Sequence, residues 1–119
     1  MTDAKTDAQQ PEPTITQVTD TAPQYFRIDV AGERAGLTEY VDNARQRIFF
    51  HTEIDPRFAG RGLASRLIRA ALTDTRKAGR RIVPICPFVA DYVQKHHDFD
   101  DILDPVTPQA RATVESALG

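Results

Sequence analysis

Tryptophan is missing from this 119-residue chain, and cysteine and methionine occur once each. No apolar run approaches the roughly 20 residues needed to cross a bilayer, so no membrane partner is expected. A single cysteine excludes an intramolecular disulfide framework and fits a reducing compartment; a cytoplasmic location is the expectation. Charge of either sign is scarce in excess, because 15 Lys and Arg stand against 17 Asp and Glu, for a net charge of −2. Without a basic surplus there is no footprint for nucleic acid. No apolar signal region is found near residue 1, and the length suits one small domain. His96 and His97 adjoin, but no further Cys or His completes a zinc-ligand spacing, so no metal is expected.

Residues 1–23 are rich in Thr, Asp, Gln and Pro and poor in large apolar groups. Such a stretch cannot bury enough surface to offset its ordering entropy and reads as a disordered tail. Patterning begins at Tyr25. Phe26, Ile28 and Val30 alternate with Arg27 and Asp29, and a turn at Ala31-Gly32-Glu33 leads to a second strand over 34–41. A turn at Asp42-Asn43-Ala44-Arg45 leads to a third strand over 47–54. The spacing of Leu63, Leu67, Ile68, Ala71 and Leu72 predicts a helix over 63–78, stopped by Gly79. A short apolar strand over 81–86 follows. The third strand, the helix and this strand make a parallel βαβ crossover after an antiparallel meander, hence an α+β fold with a mixed sheet. Pro84 cannot donate to a ladder, so its strand must be edge-like, bulged or splayed there.

The densest chemical signal lies where the third strand meets the helix, at Ile54-Asp55-Pro56-Arg57-Phe58-Ala59-Gly60-Arg61-Gly62-Leu63-Ala64-Ser65. Two glycines permit positive φ and close backbone approach, and a helix N-terminus offers free amides and a positive dipole end to an anion. The bland alternative is a turn and nothing more. A P-loop is excluded because no Lys follows Gly62 at the required offset, and Ser65 departs from the small residue a dinucleotide loop needs.

Taken in order, His51-Thr52-Glu53, Gly60-x-Gly62-x-Ala64, Pro84-x-Cys86-Pro87-Phe88-Val89, Tyr92 and His96 resemble the signature of the minimal N-acetyltransferase domain-containing proteins. These form a small branch of the GNAT acyl-CoA N-acyltransferase superfamily, and the likeness covers roughly residues 25–103. It implies a single GNAT-like domain over 24–103 that binds acetyl-CoA and passes an acetyl group to an amine acceptor. The loop motif maps best as Ala59-Gly60-Arg61-Gly62-Leu63-Ala64, with Ala59 where Gln or Arg is usual. The rival register, Arg57 to Gly62, starts the helix early and breaks its apolar face. The resemblance gives Gly60, Arg61, Gly62, Leu63, Ala64 and Ser65, with Ile54 at the strand's end, to the cofactor, and Arg61 or Arg66 adds charge. It also gives Pro84 a use, because the family's two central parallel strands part around the cofactor's pantetheine arm. The helices that build much of the acceptor site in larger relatives have no room between residues 30 and 34. His97 stands where proline is common.

Four residues are candidates for the chemistry. Cys86 precedes Pro87 at a helix N-terminus, where the dipole favours a thiolate. It either accepts the acyl group, lines the pocket, or packs as a small hydrophobe. Glu53 is the candidate base for removing the acceptor's proton, with His51, two residues away on the same strand face, as rival; the alternative for either is a partner on a neighbouring strand or the sheet's solvent face. Tyr92 matches the family's donor to the departing thiolate but is equally spaced to pack on Phe88. Residues 104–119 end in an Ala-rich run, Gln109 to Leu118, able to form a short helix that docks or pairs with a partner; a frayed tail is the default. Three functions remain open: an acetyl-CoA-dependent N-acyltransferase, a CoA-binding module without catalysis, and a protein-interaction domain. A monomer is the default state, and the acceptor is not legible.

Overall fold

The computed structural model of the chain describes residues 12–119. One sheet holds five strands in sequence order: β1 Thr14–Val18, β2 Gln24–Val30, β3 Glu33–Asp42, β4 Gln46–Ile54 and β5 Arg81–Pro84. Antiparallel pairing joins β1 to β4, and β5 runs parallel to β4 across helix α1, Leu63–Lys77. The mixed sheet and α+β class agree with the sequence reading.

β1 departs from it. Thr14–Val18 falls in the stretch read as a disordered tail, yet it pairs with Tyr25–Asp29 along its length. A polar segment with few large side chains is stabilised here by a neighbouring strand's free edge, which composition does not reveal. Ile15 also packs against the core. Residues 1–11 of the expected tail lie outside the described residues.

At the β2–β3 hairpin, Ala31 (φ 53°) and Gly32 (φ 82°) both take left-handed conformations, the two-residue turn that matches strand twist. Tight connections at 19–23 and 31–32 leave no helix between the first three strands. α1 buries Leu63, Leu67, Ile68, Ala71, Leu72 and Thr75 against Phe26, Ile28, Tyr40 and Phe49. Gly79 (φ 72°) ends it in the left-handed form. A second helix, α2 Pro87–Lys95, adds Val89, Tyr92 and Val93 to this core.

The other sheet face is covered at one end by α3, Pro108–Leu118, whose Ala110 and Val114 are buried with Ile48 and Val83. Thr107 caps it, its hydroxyl accepting from the Ala110 amide at 3.1 Å. The frayed-tail default therefore does not hold for 108–118. The helical spacing was visible, but the apolar patch that receives it is assembled from β4 and β5.

β5 ends at Pro84 rather than Cys86. It is the last strand of the sheet among the described residues, its outer side carrying a bridge from Ile82 to Leu103. Pairing with β4 stops at Phe49 opposite Pro84, followed by one bond from the Cys86 amide to the Phe49 carbonyl at 2.9 Å. Beyond it β5 gives way to α2, and β4 runs on from Phe50 to Ile54 with no strand partner on that side among the described residues.

Candidate functional site

A register slip decides which side chains meet at this divergence. Tyr40 faces Phe49 and Glu39 faces His51, leaving Phe50 as the extra residue of a bulge. The bulge inverts the alternation of β4. Phe49 and Thr52, three apart, both face the α1 side, and Phe50, His51 and Glu53 face the other.

On the α1 side Cys86, the residue before α2, is buried and free. Its thiol donates to Thr52 Oγ1 at 3.1 Å, and Thr52 shares a 2.8 Å hydrogen bond with Thr38, its cross-strand partner. Sequence reasoning passed over both threonines. Simple alternation turns Thr38 to the side of Tyr40, but with Phe49 as reference it turns Thr52 away from the core.

On the opposite side His51 Nε2 lies 2.9 Å from Glu53 Oε2. Both side chains are exposed, so the pair is open to a solvent-borne acceptor. The two candidate bases thus come together, while Cys86 lies on the other face of the same strand.

The Gly loop continues directly from β4. Asp55 caps a 3-10 turn at Pro56–Phe58, accepting from the Arg57 amide at 2.9 Å. Hydrogen bonds from the Arg57 side chain and amide hold the Asp55 carboxyl below its ordinary range. Gly60 (φ 81°) and Gly62 (φ 72°) then turn the chain into α1, with Gly62 as N-cap. A Cβ at either glycine would meet nothing within 4 Å, so positive φ, rather than crowding, requires glycine. α1 starts at Leu63, the register that places Ala59 first in the motif.

Among the described residues, the amides of 60–65 donate no hydrogen bond. They form the unpaired start of a helix, which binds anions through N–H groups and dipole. Arg57 and Arg61 both lie over the Phe58 ring, each 5.3 Å from its centroid. Arg57 is tied to Asp55 and Glu33, whereas Arg61 has no carboxylate partner among the described residues. Arg66 pairs with Glu12 at 2.9 Å. Leu63 is buried, Ala64 and Ile54 are half-buried, and Ile54 packs onto the core.

Ser65 and Arg66 line a cavity of about 220 Å³ between α1 and α2, with Arg69, Tyr92, His96 and Asp98. Tyr92 is buried and stacks on His96 at 4.4 Å between centroids. Burial pushes its phenol above the usual tyrosine value, with Arg69 opposing the rise and Asp98 adding to it, so the phenol stays protonated at neutral pH. Its aromatic partner is His96 rather than Phe88, which is exposed. His97 opens a 3-10 turn to Ile102 and pairs with Asp100 at 3.0 Å.

The strand that parts from its parallel neighbour is thus followed by a glycine turn and a helix start with free amides. The profile of the GCN5-related N-acetyl-transferase family matches residues 25–102. The chain belongs to this family. The GCN5-related match spans every element from β2 to the 3-10 turn at His97–Ile102, and so contains both sides of the strand divergence and the loop. No curated protein matches the chain. No helix among the described residues is long and apolar enough to cross a membrane, and none of those residues form a group of three potential metal ligands.

Proposed function

We propose that this GCN5-related domain binds acetyl-CoA and transfers its acetyl group to an amine, acting as a monomer in the cytosol. The observation that carries the reading is the run of amides over 60–65 that have no partner among the described residues, set at the end of a strand that parts from its parallel neighbour. Gly60, Arg61, Gly62, Leu63, Ala64 and Ser65 would hold the pyrophosphate through those amides. The Arg61 guanidinium supplies charge, since Arg66 is engaged by Glu12. Ile54 and the unpaired edge of β4 would receive the pantetheine arm. The bound cosubstrate supplies an activated acyl carbonyl.

The chain's own residues supply proton transfer and positioning. Glu53 and His51 form a single hydrogen-bonded base that takes the ammonium proton, directly or through water. Tyr92, a protonated phenol in the cavity between α1 and α2, is the donor to a departing thiolate. Cys86 lies at the head of α2, next to the parting strands, and either accepts the acyl group or lines its pocket. The solvent-facing position of His51 and Glu53 favours an enzyme over a silent binding module, because it leaves the base accessible to an amine.

A backbone amide NMR titration with acetyl-CoA tests this reading. Saturable shifts at Gly60, Gly62 and Ala64 with responses at Ile54 and Cys86 are expected. No shift at millimolar ligand, where binding is worth less than about 4 kcal/mol, overturns it. Turnover with a panel of amines then separates an enzyme from a module that only binds.

A further inference from the structure

Three side chains on the α1 face of the sheet form a chain of hydrogen bonds with no solvent in reach. Thr38 is 0% exposed, Thr52 6% and Cys86 1%. Thr38 and Thr52 stand directly opposite one another on β3 and β4, with hydroxyl oxygens 2.8 Å apart, and the Cys86 thiol reaches Thr52 at 3.1 Å. No buried side-chain nitrogen or oxygen among the described residues lacks a partner, so the chain is closed as it stands.

A hydroxyl carries one donor and two acceptor lone pairs and turns to suit its neighbours. With Cys86 protonated, its S–H donates to Thr52, whose own proton goes to Thr38. With Cys86 as thiolate, the Thr52 hydroxyl reverses to donate to sulfur and Thr38 donates to Thr52 in turn. The sulfur therefore finds a partner in Thr52 in both protonation states, without water. Unpaired buried charge is costly, and an aliphatic residue at 52 would serve neither state.

The bulge at Phe50 places Thr52 there. In unbroken alternation with Phe49, it would be His51 and not Thr52 that faced the thiol.

We infer that Thr52, itself held by Thr38, is the positioning residue for Cys86: it fixes the direction of the thiol and supports it in either charge state. The inference rests on the reading of Cys86 as a residue of the acyl site. It predicts an effect that passes only through sulfur.

The test combines Thr52→Val, which keeps shape and removes the hydroxyl, with Thr52→Ser, which restores it, each in the parent and in a Cys86→Ala background. Acetyl transfer and the Raman S–H stretch are read on the full chain; the band is unambiguous because the chain has one cysteine. Expected are an S–H band moved to the frequency of an unbonded thiol in Thr52→Val, and a kcat lowered about tenfold, as loss of one hydrogen bond to a charged group implies. KM for acetyl-CoA should stay within about twofold. Thr52→Ser should recover both signals, and Thr52→Val should cost nothing further once Cys86 is Ala. An unmoved band, or equal losses in both backgrounds, overturns the inference alone. Parental turnover in Cys86→Ala overturns the reading of Cys86 and the inference with it.

Discussion

His51 and Glu53 hold each other at 2.9 Å across two positions of β4, on the face that turns away from Cys86. The contact joins the two residues that could serve as base into one group. Replacing Glu53 by Gln should lower kcat for acetyl transfer by about 10²-fold, the scale of a lost general base. Because the Glu53 side chain is 63% exposed, the variant's thermal unfolding should match the parent's. An unchanged pH–rate profile in Glu53→Gln would remove this residue from the mechanism.

Gly36 sits opposite Ile54, and a Cβ there would come within 2.6 Å of the Glu53 carbonyl oxygen and 2.5 Å of the Ile54 side chain. Backbone cannot yield as a flexible side chain does. Gly36→Ala should cost about 1–3 kcal/mol in urea unfolding and displace the end of β4. Ile54 amide shifts in the free protein would report that displacement.

Arg47 is 4% exposed, lies 4.4 Å from the Tyr40 ring centroid, and bonds Asp42 at 2.8 Å and Asp74 of α1 at 2.9 Å. Burial opposes its charge, but the hydrogen bonds it donates to Asp42 and Asp74 prevail and raise its pKa above the ordinary arginine value. Removing one partner of a buried pair leaves the others uncompensated, so Arg47→Leu should cost about 3 kcal/mol. Arg57, 65% exposed in its pairs with Asp55 and Glu33, should cost under about 0.5 kcal/mol as Ala. Denaturant midpoints of the two variants decide between these.

Val114 is the larger of the two buried contacts of α3 on Ile48 and Val83, beside Ala110. Val114→Ala should destabilise by about 2 kcal/mol through lost apolar burial and the cavity left behind. Calorimetry showing one cooperative transition at a lower Tm is the expected result; an unchanged Tm would mean that α3 contributes nothing to the fold.

Asp104 accepts hydrogen bonds from Gln46 at 2.7 Å and Arg81 at 2.6 Å. Burial works to raise its pKa, but these two donors outweigh it and the carboxyl is held below its ordinary value of 3.8. A depressed folded pKa contributes stability that is present above the unfolded value and is lost as pH falls through the folded one. The window therefore lies below about pH 4. Stability curves of the parent and Asp104→Asn should differ most near neutrality and converge below that pH.

The face of α1 was legible because a helix repeats every 3.6 residues, and the five apolar residues its spacing selects are all buried. Gly60 and Gly62 were legible too, since positive φ leaves glycine as its mark. β1 was not, because a polar strand is held by its neighbour's edge and not by its own composition. Thr52 was hidden by the bulge at Phe50, which no local residue type announces.

By itself the sequence determined what short-range chemistry can encode: the order of β2 to α2, the glycine turn into α1, the shared face of His51 and Glu53, and the membership residues of a GCN5-related domain. Only the tertiary structure decided that β1 completes the sheet, that α3 covers Ile48 and Val83, and that Thr52 meets Cys86. Each of those depends on register and packing between segments far apart in the chain, and a one-residue slip in pairing moves a side chain to the other face without changing a single local preference.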